Sequence, residues 1–195
     1  MNQRKQIWLL SGGNGAGKST FYRTQLEPRG LNFVNADILA RHLFPDAPEA
    51  HSYTAAKVAE EMRNRLLEEG RSFCFETVFS HPSKIDFLAR AKALGYEIVL
   101  VFIHLQSTAL NLARVSQRVQ EGGHFVPDEK VITRIPRTLA NVRKALPLCD
   151  HVYLLDNSLY SDPFRNIAEI HATMLQSNVT SLPGWASELL SEYLK

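Results

Sequence analysis

The sequence has little that would direct it to a membrane, a nucleic acid or an oxidising compartment. Its 22 Lys and Arg residues and 20 Asp and Glu residues leave a formal net charge of +2, too balanced for a dedicated nucleic-acid-binding surface. No apolar run approaches the roughly 18 residues that cross a bilayer, and the first breaks at Ser11-Gly12-Gly13, too early for a signal peptide. The two cysteines, Cys74 and Cys149, lie in apolar surroundings typical of reduced, buried thiols. We therefore expect a cytoplasmic protein with neither a membrane nor a nucleic acid as its partner.

Short apolar runs alternate along the chain with segments of helical periodicity, and no internal repeat or low-complexity tract is visible. Such alternation is typical of a parallel β-sheet with crossover helices, and we expect one α/β domain over residues 1–195. The predicted strands span residues 7–10, 31–35, 72–76, 97–105 and 151–155. One predicted helix places Val58, Met62 and Leu66 on its inner face, and Pro136 is expected to kink or divide another.

Residues 12–19 read Gly-Gly-Asn-Gly-Ala-Gly-Lys-Ser and fit the pattern G-x-x-x-x-G-K-[ST] at every fixed position. An apolar, β-type segment precedes them and a helix can open after them, which is the strand–loop–helix context of a P-loop. Lys18 would then reach the β- and γ-phosphates of ATP, and the Ser19 hydroxyl would ligate Mg²⁺. The expected nucleotide-binding residues are Gly12, Gly13, Asn14, Gly15, Ala16, Gly17, Lys18, Ser19 and Thr20. The alternative is a glycine-rich turn that binds nothing.

Asp37 follows the second predicted strand. Ligands lie at the carboxyl ends of the strands in an open α/β sheet, so Asp37 should face the same crevice as the P-loop. A carboxylate there can accept the proton of an attacking hydroxyl in phosphoryl transfer. The alternative is a helix cap, because Asp is a favoured N-cap residue and a helical pattern follows; Asn35 could serve as that cap as well.

Glu76 ends the third predicted strand, where an unpaired buried charge would be costly. We expect Glu76, with Thr77 beside it, to hold substrate hydroxyls or, through water, Mg²⁺; Arg41 is expected to anchor an anionic part of the substrate. The alternative for Glu76 is a structural ion pair with Arg41 or Arg71. The fourth predicted strand has no terminal Asp, which argues against an ATPase motor or a GTPase switch.

Arginines are concentrated between residues 114 and 137, at Arg114, Arg118, Arg134 and Arg137. Guanidinium groups on two helices joined by Gly122-Gly123 are typical of a lid that closes on a triphosphate. Arg118 and Arg134 are the best candidates because they flank the glycine turn, which also contains His124. The alternative for each arginine is a solvated surface position. At the C-terminus, residues 183–195 predict a short amphipathic helix docked on the domain.

Together these residues resemble the zeta-toxin family of P-loop kinases, in particular its shorter bacterial branch. The resemblance lies in residues 12–19, 35–37, 75–77, 114–118, 122–127 and 134–139, and it spans about residues 7–157. It implies a three-layer, P-loop kinase-like α/β fold with a five-stranded parallel sheet in the order 2-3-1-4-5.

The resemblance also implies an ATP- and Mg²⁺-dependent kinase for a hydroxyl of a small molecule. In it Asp37 would be the base, Glu76 would contact substrate, and Arg118 would bind the phosphates. Members of the family phosphorylate the sugar of UDP-N-acetylglucosamine and are held inactive by a small antitoxin, so both become expectations here.

This sequence departs from the zeta-toxin pattern in two respects. The chain is shorter than the toxins, and His124 stands where they carry a second lid arginine. An imidazole cannot be assumed to carry a charge at neutral pH. The alternative function is a nucleotide-dependent regulatory NTPase without a small-molecule acceptor.

Overall fold

A computed structural model describes residues 4–123 and 125–194 of the chain. Within these residues the core is a seven-stranded sheet in the order β2-β3-β1-β4-β5-β6-β7. The strands are β1 (Gln6–Ser11), β2 (Asn32–Val34), β3 (Phe73–Thr77), β4 (Glu97–His104), β5 (His151–Asp156), β6 (Arg165–His171) and β7 (Met174–Ser177). The helices are α1 (Lys18–Phe21), α2 (Ala36–Leu43), α3 (Ser52–Glu68), α4 (Ser83–Ala93), α5 (Thr108–Gln120), α6 (Asp128–Ala145) and α7 (Gly184–Leu189). A π-helical turn, Tyr22–Leu26, and a 3₁₀ turn, Glu27–Arg29, extend α1; a second 3₁₀ turn, Leu146–Leu148, follows α6.

The first five strands are parallel and lie in the predicted order 2-3-1-4-5. The prediction of a five-stranded, all-parallel sheet is nevertheless wrong, because β6 and β7 extend it as an antiparallel hairpin. The hairpin turn is Ala172-Thr173, in which both residues have positive φ. Such turns are recognised in a sequence by Asn or Gly, and this one contains neither.

Helices cover the sheet on both faces and complete three layers. On one face, Leu9, Phe75 and Leu100 belong to an apolar core to which α3, α4, α6 and α7 contribute. On the other face, Leu10 and Val101 pack with the turn after α1 and with α5. Because β1, β3 and β4 are parallel, their carboxyl ends meet at one edge of the sheet, and the loops that follow them gather there.

Three details of the helices differ from the predictions. In α3 the buried positions include Arg63, whereas Met62 is 38% exposed, so the inner face lies one residue away from the predicted one. Pro136 lies inside α6, so of the two outcomes predicted for it, a kink or a division of the helix, the division does not occur. The C-terminal helix ends at Leu189 rather than continuing to the C-terminus, although Trp185 and Tyr193 pack on the core as expected. No helix in the described part of the chain is both long and apolar enough to cross a membrane.

Candidate active site

The loop between β1 and α1 lies tightly against the backbone of β4 and the side chain of Asn157. Gly17 has a φ of 97°, and a Cβ atom built there would lie 2.5 Å from Nδ2 of Asn157. A Cβ atom at Gly12, where φ is 153°, would lie 2.2 Å from the backbone oxygen of Ile103. Real Cβ atoms do not approach that closely, so a side chain at either position would push the loop away from β4 or from the segment after β5.

Two asparagines outside the loop hold it in place. Nδ2 of Asn111, in α5, donates to the backbone oxygen of Asn14 at 2.7 Å. Nδ2 of Asn157, just after β5, donates to the backbone oxygen of Ala16 at 2.9 Å. Both asparagine side chains are buried, and both bonds use carbonyl oxygens, so the loop is braced without occupying its N–H groups. Sequence reasoning missed both, although Asn157 stands directly after a strand end, where a search for polar side chains would have found it.

Lys18, Ser19, Asn35 and Glu76 form one cluster at this edge of the sheet. The Ser19 hydroxyl donates to Oε2 of Glu76 at 2.7 Å, and Nδ2 of Asn35 donates to the same oxygen at 2.8 Å. Nζ of Lys18 lies 3.6 Å from Oε1 of Glu76 and donates to the backbone oxygen of Gly13 at 3.0 Å. Glu76 therefore joins the P-loop to the end of β3.

The electrostatics of the cluster centre on Lys18, which is 6% exposed. Burial lowers the pKa of Lys18, Glu76 and Asp37 oppose that change, and Arg118 adds to it. A buried ammonium group next to a loop of backbone N–H groups attracts anions. The ion pairs considered for Glu76 with Arg41 or Arg71 do not form, because Glu76 pairs with Lys18 instead.

Asn35, not Asp37, caps α2. Its Oδ1 accepts hydrogen bonds from the backbone N–H groups of Asp37, at 2.8 Å, and of Ile38, at 3.1 Å. Asp37 is the second residue of the helix, is exposed, and lines the cleft beside the P-loop. The capping interpretation of Asp37 is therefore wrong, and its carboxylate is not committed to the helix terminus.

A cleft of about 590 Å³ lies over the cluster, within the range usual for small-molecule sites. Its walls are the P-loop, the end of β3, α3, the start of α4 and the α5–α6 region. Its charged or titratable lining residues are Lys18, Asp37, Glu49, Tyr53, Glu76, His81, Lys84, Arg118, Lys130 and Arg134. Positively and negatively charged side chains therefore line the same cleft.

The predicted lid forms one wall of this cleft. Arg118 and Arg134, on α5 and α6, both line it, as the sequence predicted, and Nη1 of Arg134 lies 3.5 Å from Oδ1 of Asn14 in the P-loop. The backbone N–H of Phe125 donates to Oε1 of Glu49 at 3.0 Å, which connects the α5–α6 loop to the segment before α3. His124 lies outside the described residues.

The remaining predicted residues are placed differently. Arg41 lines a separate recess of about 90 Å³, beside Gly122 and Gly123, rather than the main cleft. Thr77 lines the main cleft, but its Oγ1 accepts a hydrogen bond from the backbone N–H of Phe79 at 3.0 Å, so it also shapes the turn after β3. Thr20 is exposed on α1 and does not line the main cleft. This recess shares Asp37, Glu49 and Ser52 with the main cleft, and the role of Arg41 as an anchor for an anionic part of the substrate stays a prediction.

Comparison with known proteins identifies the family of the chain. A family model described as an AAA domain (AAA_33) matches residues 7–141, which include the P-loop, Asp37, Glu76 and both lid arginines. The chain belongs to this AAA-domain family. A protein of Haemophilus influenzae described as uncharacterized is 28% identical over 135 residues, which cover 66% of this chain and 96% of that protein.

Two solved structures share the fold of this AAA-domain chain. One is the complex of AvrRxo1-ORF1 and AvrRxo1-ORF2 with ATP (TM-score 0.73, 16% identity, 98% of this chain and 64% of that chain). The other belongs to the PezAT chromosomal toxin–antitoxin system of Streptococcus pneumoniae (TM-score 0.62, 19% identity, 80% of this chain and 68% of that chain). The present chain thus spans less than two thirds of the AvrRxo1 chain, and at these identities the likeness shows the P-loop kinase-like fold.

Proposed function

We propose that this protein is an ATP- and Mg²⁺-dependent phosphotransferase, similar to the zeta-toxin kinases, that moves the γ-phosphate of ATP to a hydroxyl of a small molecule. The observation that carries the proposal is that Asn35 caps α2 while the Asp37 side chain lines the cleft. Asn35 caps α2, which leaves the Asp37 carboxylate in the cleft that also contains Lys18. A carboxylate so placed is what transfer to a hydroxyl requires and what simple nucleotide binding does not.

The donors beside the P-loop suit Mg²⁺. Ser19 and Glu76 present hydroxyl and carboxylate oxygens, the hard ligands that Mg²⁺ prefers. No group of three or more His, Cys, Asp and Glu side chains that could hold a metal occurs in the described part of the chain. In kinase sites Mg²⁺ usually reaches the protein on the substrate phosphates and keeps several waters. When bound, Mg²⁺ would neutralise charge on the β- and γ-phosphate oxygens.

In the proposed reaction, the acceptor oxygen attacks the γ-phosphorus while the bond to the β–γ bridging oxygen breaks and ADP leaves. Asp37 accepts the proton of the acceptor hydroxyl. Lys18 and Arg118 stabilise the negative charge on the transferring group, and Arg134 holds the P-loop side of the lid through Asn14. Closure of residues 114–137 would exclude water and favour transfer over hydrolysis of ATP.

The first candidate acceptor is a UDP-N-acetyl amino sugar, and a small antitoxin protein is a proposed partner. The PezAT structure named above comes from a toxin–antitoxin system, which supports the antitoxin proposal through the shared fold, whereas the acceptor is proposed from the zeta-toxin resemblance of the sequence.

Purified protein, ATP and Mg²⁺ should be incubated with a bacterial metabolite extract and, separately, with UDP-N-acetylglucosamine. We expect mass spectrometry to detect an acceptor that gains one phosphate, and we expect that product to disappear with Lys18→Ala and with Asp37→Asn. Hydrolysis of ATP without any phosphorylated acceptor, with Asp37 intact, would instead favour the regulatory NTPase.

A further inference from the structure

Four side chains form a line of hydrogen bonds at the edge of the sheet opposite to the P-loop. Glu97 begins β4, His151 begins β5, and Glu169 and His171 lie at the end of β6. Nε2 of His151 lies 2.9 Å from Oε1 of Glu97, and Nε2 of His171 lies 2.8 Å from Oε2 of Glu169. Between these two contacts, the Nδ1 atoms of the histidines are 2.8 Å apart. None of the four residues lines the cleft, so the proposed kinase reaction does not account for their arrangement.

The two histidines face each other across a pair of strands. His151 and His171 are register partners on the antiparallel strands β5 and β6. Such partners have Cβ atoms about 4.5–5.5 Å apart on one face of a sheet. The two side chains are 32% and 40% exposed, so water reaches the pair. Backbone pairing thus brings the two rings together at a place that an ion can enter from solvent.

The carboxylates at the two ends of the line are held on both of their oxygens. Oε2 of Glu97 accepts a hydrogen bond from Nε2 of Gln6 at 2.6 Å, and Oε1 of Glu169 accepts one from Nδ2 of Asn166. The bond from Gln6, followed by the bond from the adjacent histidine, lowers the pKa of Glu97, and the bond from the other histidine lowers the pKa of Glu169. Both carboxylates are therefore ionised at neutral pH and act as acceptors. Each histidine accordingly carries a proton on Nε2, an assignment that follows from its hydrogen-bond partner.

The contact between the two Nδ1 atoms is then a contact between two lone pairs. A neutral imidazole has one N–H, and in His151 and His171 that N–H is directed at a carboxylate. Two acceptors at 2.8 Å repel each other unless a positive charge lies between them. A histidine that binds a metal ion almost always donates its other ring N–H to a carboxylate, a carbonyl or water, which fixes its tautomer. Both rings are oriented in that way before any ion arrives.

We propose that His151 and His171 bind one divalent transition-metal ion, such as Zn²⁺, between their Nδ1 atoms. Imidazole suits Zn²⁺, Cu²⁺ and Ni²⁺, whereas Mg²⁺ prefers oxygen ligands. Tetrahedral Zn–N bonds of about 2.0–2.1 Å separate two nitrogen ligands by about 3.3 Å, so the pair would open by about 0.5 Å. Because residues 4–123 and 125–194 contain no metal-binding group of three or more His, Cys, Asp and Glu side chains, water fills the remaining positions. The charge of the ion balances the carboxylates of Glu97 and Glu169.

An ion at this place would fasten the β6–β7 hairpin to the parallel part of the sheet. It joins β5 to β6 directly, and it joins β4 through Glu97. The site follows neither from the P-loop nor from the proposed kinase function, and it lies at the opposite ends of the strands. Its role is therefore structural, and its test needs neither ATP nor an acceptor.

The test uses chelator-treated protein without nucleotide, titrated calorimetrically with Zn²⁺ in an excess of Mg²⁺. The Mg²⁺ occupies sites built from oxygen, including any near Glu76, and leaves imidazole sites open. The variants are His151→Gln and His171→Gln, each of which removes one ligand, and Glu169→Gln, which keeps both ligands and removes one orienting charge. The matched control is His42→Gln, an exposed histidine on α2. Melting temperatures are measured with and without Zn²⁺ on the same proteins.

We expect the wild-type protein to bind one Zn²⁺ per chain, and we expect both histidine variants to lose that binding. Glu169→Gln should weaken Zn²⁺ about tenfold, and His42→Gln should bind as the wild type does. Zn²⁺ at about 100 times its dissociation constant should raise the melting temperature of the wild type by about 5–10 °C and leave that of the histidine variants unchanged. Electron paramagnetic resonance of bound Cu²⁺ should show hyperfine coupling to imidazole nitrogen that is lost in His171→Gln.

Two outcomes would overturn the proposal. If the wild-type protein bound no Zn²⁺, the two histidines would share a proton and nothing else. If His151→Gln and His171→Gln bound Zn²⁺ as tightly as the wild type, the ion would lie elsewhere in the protein.

Discussion

The hydroxyl of Ser19 donates a hydrogen bond to the Glu76 carboxylate at 2.7 Å. The carboxylate that contacts the P-loop serine therefore lies on β3. β3 lies directly beside β1 in the sheet, with Leu10 and Glu76 as register partners. β4 has no Asp at its end, and the carboxylate beside the P-loop is instead Glu76 of β3, the strand on the other side of β1. Lack of a terminal Asp on β4 does not leave the P-loop without a carboxylate.

Glu76→Gln should separate two effects of this carboxylate. Without Mg²⁺, we expect the variant to bind ATP about tenfold more tightly, because a negative charge beside the triphosphate has been removed. With Mg²⁺, turnover should fall about 10²-fold. The variant lacks the negative charge that would attract Mg²⁺, and Lys18 loses the carboxylate with which it pairs. A fluorescent ATP analogue titrated with EDTA or with Mg²⁺, together with a turnover assay, measures both. If Mg²⁺ changed the ATP affinity and turnover of the variant and of the wild type equally, Glu76 would not be a residue that acts on Mg²⁺.

Asp37→Asn and Asn35→Ala should affect different properties. Asp37→Asn deletes the proton acceptor but keeps the side-chain size, so turnover should fall about 10²–10⁴-fold while nucleotide affinity and melting temperature are preserved. Asn35→Ala removes the cap of α2 together with the hydrogen bond to Glu76, and should lower the free energy of unfolding by about 1–2 kcal/mol. Urea unfolding and turnover, measured on both variants, distinguish the two roles. Near-normal turnover in Asp37→Asn would remove Asp37 as the base.

Site residues that belong to one short sequence motif were predicted, whereas residues brought to the site from distant parts of the sequence were not. The P-loop is a local pattern, so the strand before residues 12–19 and the helix that opens at their end were predicted correctly. The parallel strand order was obtained through a resemblance, since alternation of strands and helices leaves several orders possible.

Side chains that act from a distance were missed. Asn111 and Asn157 contact the P-loop from 97 and 141 residues away. No local pattern marks Asn111, and the sequence signal for Asn157 is its place directly after a strand end. Arg63 was missed for a different reason, because arginine is normally exposed and the apolar Met62 beside it suggested the wrong inner face for α3. Position 63 is where the structure departs from the usual exposure of arginine, since Arg63 is only 6% exposed.

Arg118→Ala should lower turnover more than nucleotide affinity if the lid closes mainly on the transition state. Loss of one positively charged group at the transferring phosphate is expected to cost about 10²–10³-fold in turnover. The matched control is Arg137→Ala, an exposed position of the same lid that does not line the cleft. Steady-state kinetics and nucleotide titration measure the two effects. Equal losses in turnover and affinity would identify Arg118 as a ground-state phosphate ligand.

His104 should make the fold sensitive to mild acid. Its ring is 9% exposed and its centre lies 4.8 Å from that of Trp185; burial lowers the pKa of His104 to about 4, and Asp156 opposes that change slightly. The unfolded chain therefore binds a proton at higher pH than the folded chain does, and stability falls as the pH is lowered from about 6.5 to about 4.

The expected loss from His104 is about 2 kcal/mol between pH 7 and pH 5. His104→Phe keeps a ring against Trp185 and removes the titration, so its free energy of unfolding should fall about 2 kcal/mol less over that interval. Urea unfolding at both pH values measures the difference, with the exposed His42→Phe as the control. A loss in His104→Phe as large as that of the wild type would show that another group carries the acid sensitivity.

Substitutions in the turn between β6 and β7 should stabilise the protein. Ala172 and Thr173 have φ values of 47° and 84°, and the β-branched Thr173 is especially unfavourable there. Combining Ala172→Asn with Thr173→Gly supplies residues that adopt positive φ readily, so we expect a gain of about 1–2 kcal/mol and a rise in melting temperature of about 2–8 °C. Nucleotide affinity should not change, since neither residue lines the cleft. Thr173→Val, which stays β-branched, is the matched control and should give no gain. An unchanged melting temperature in the double variant would show that this turn stores no strain.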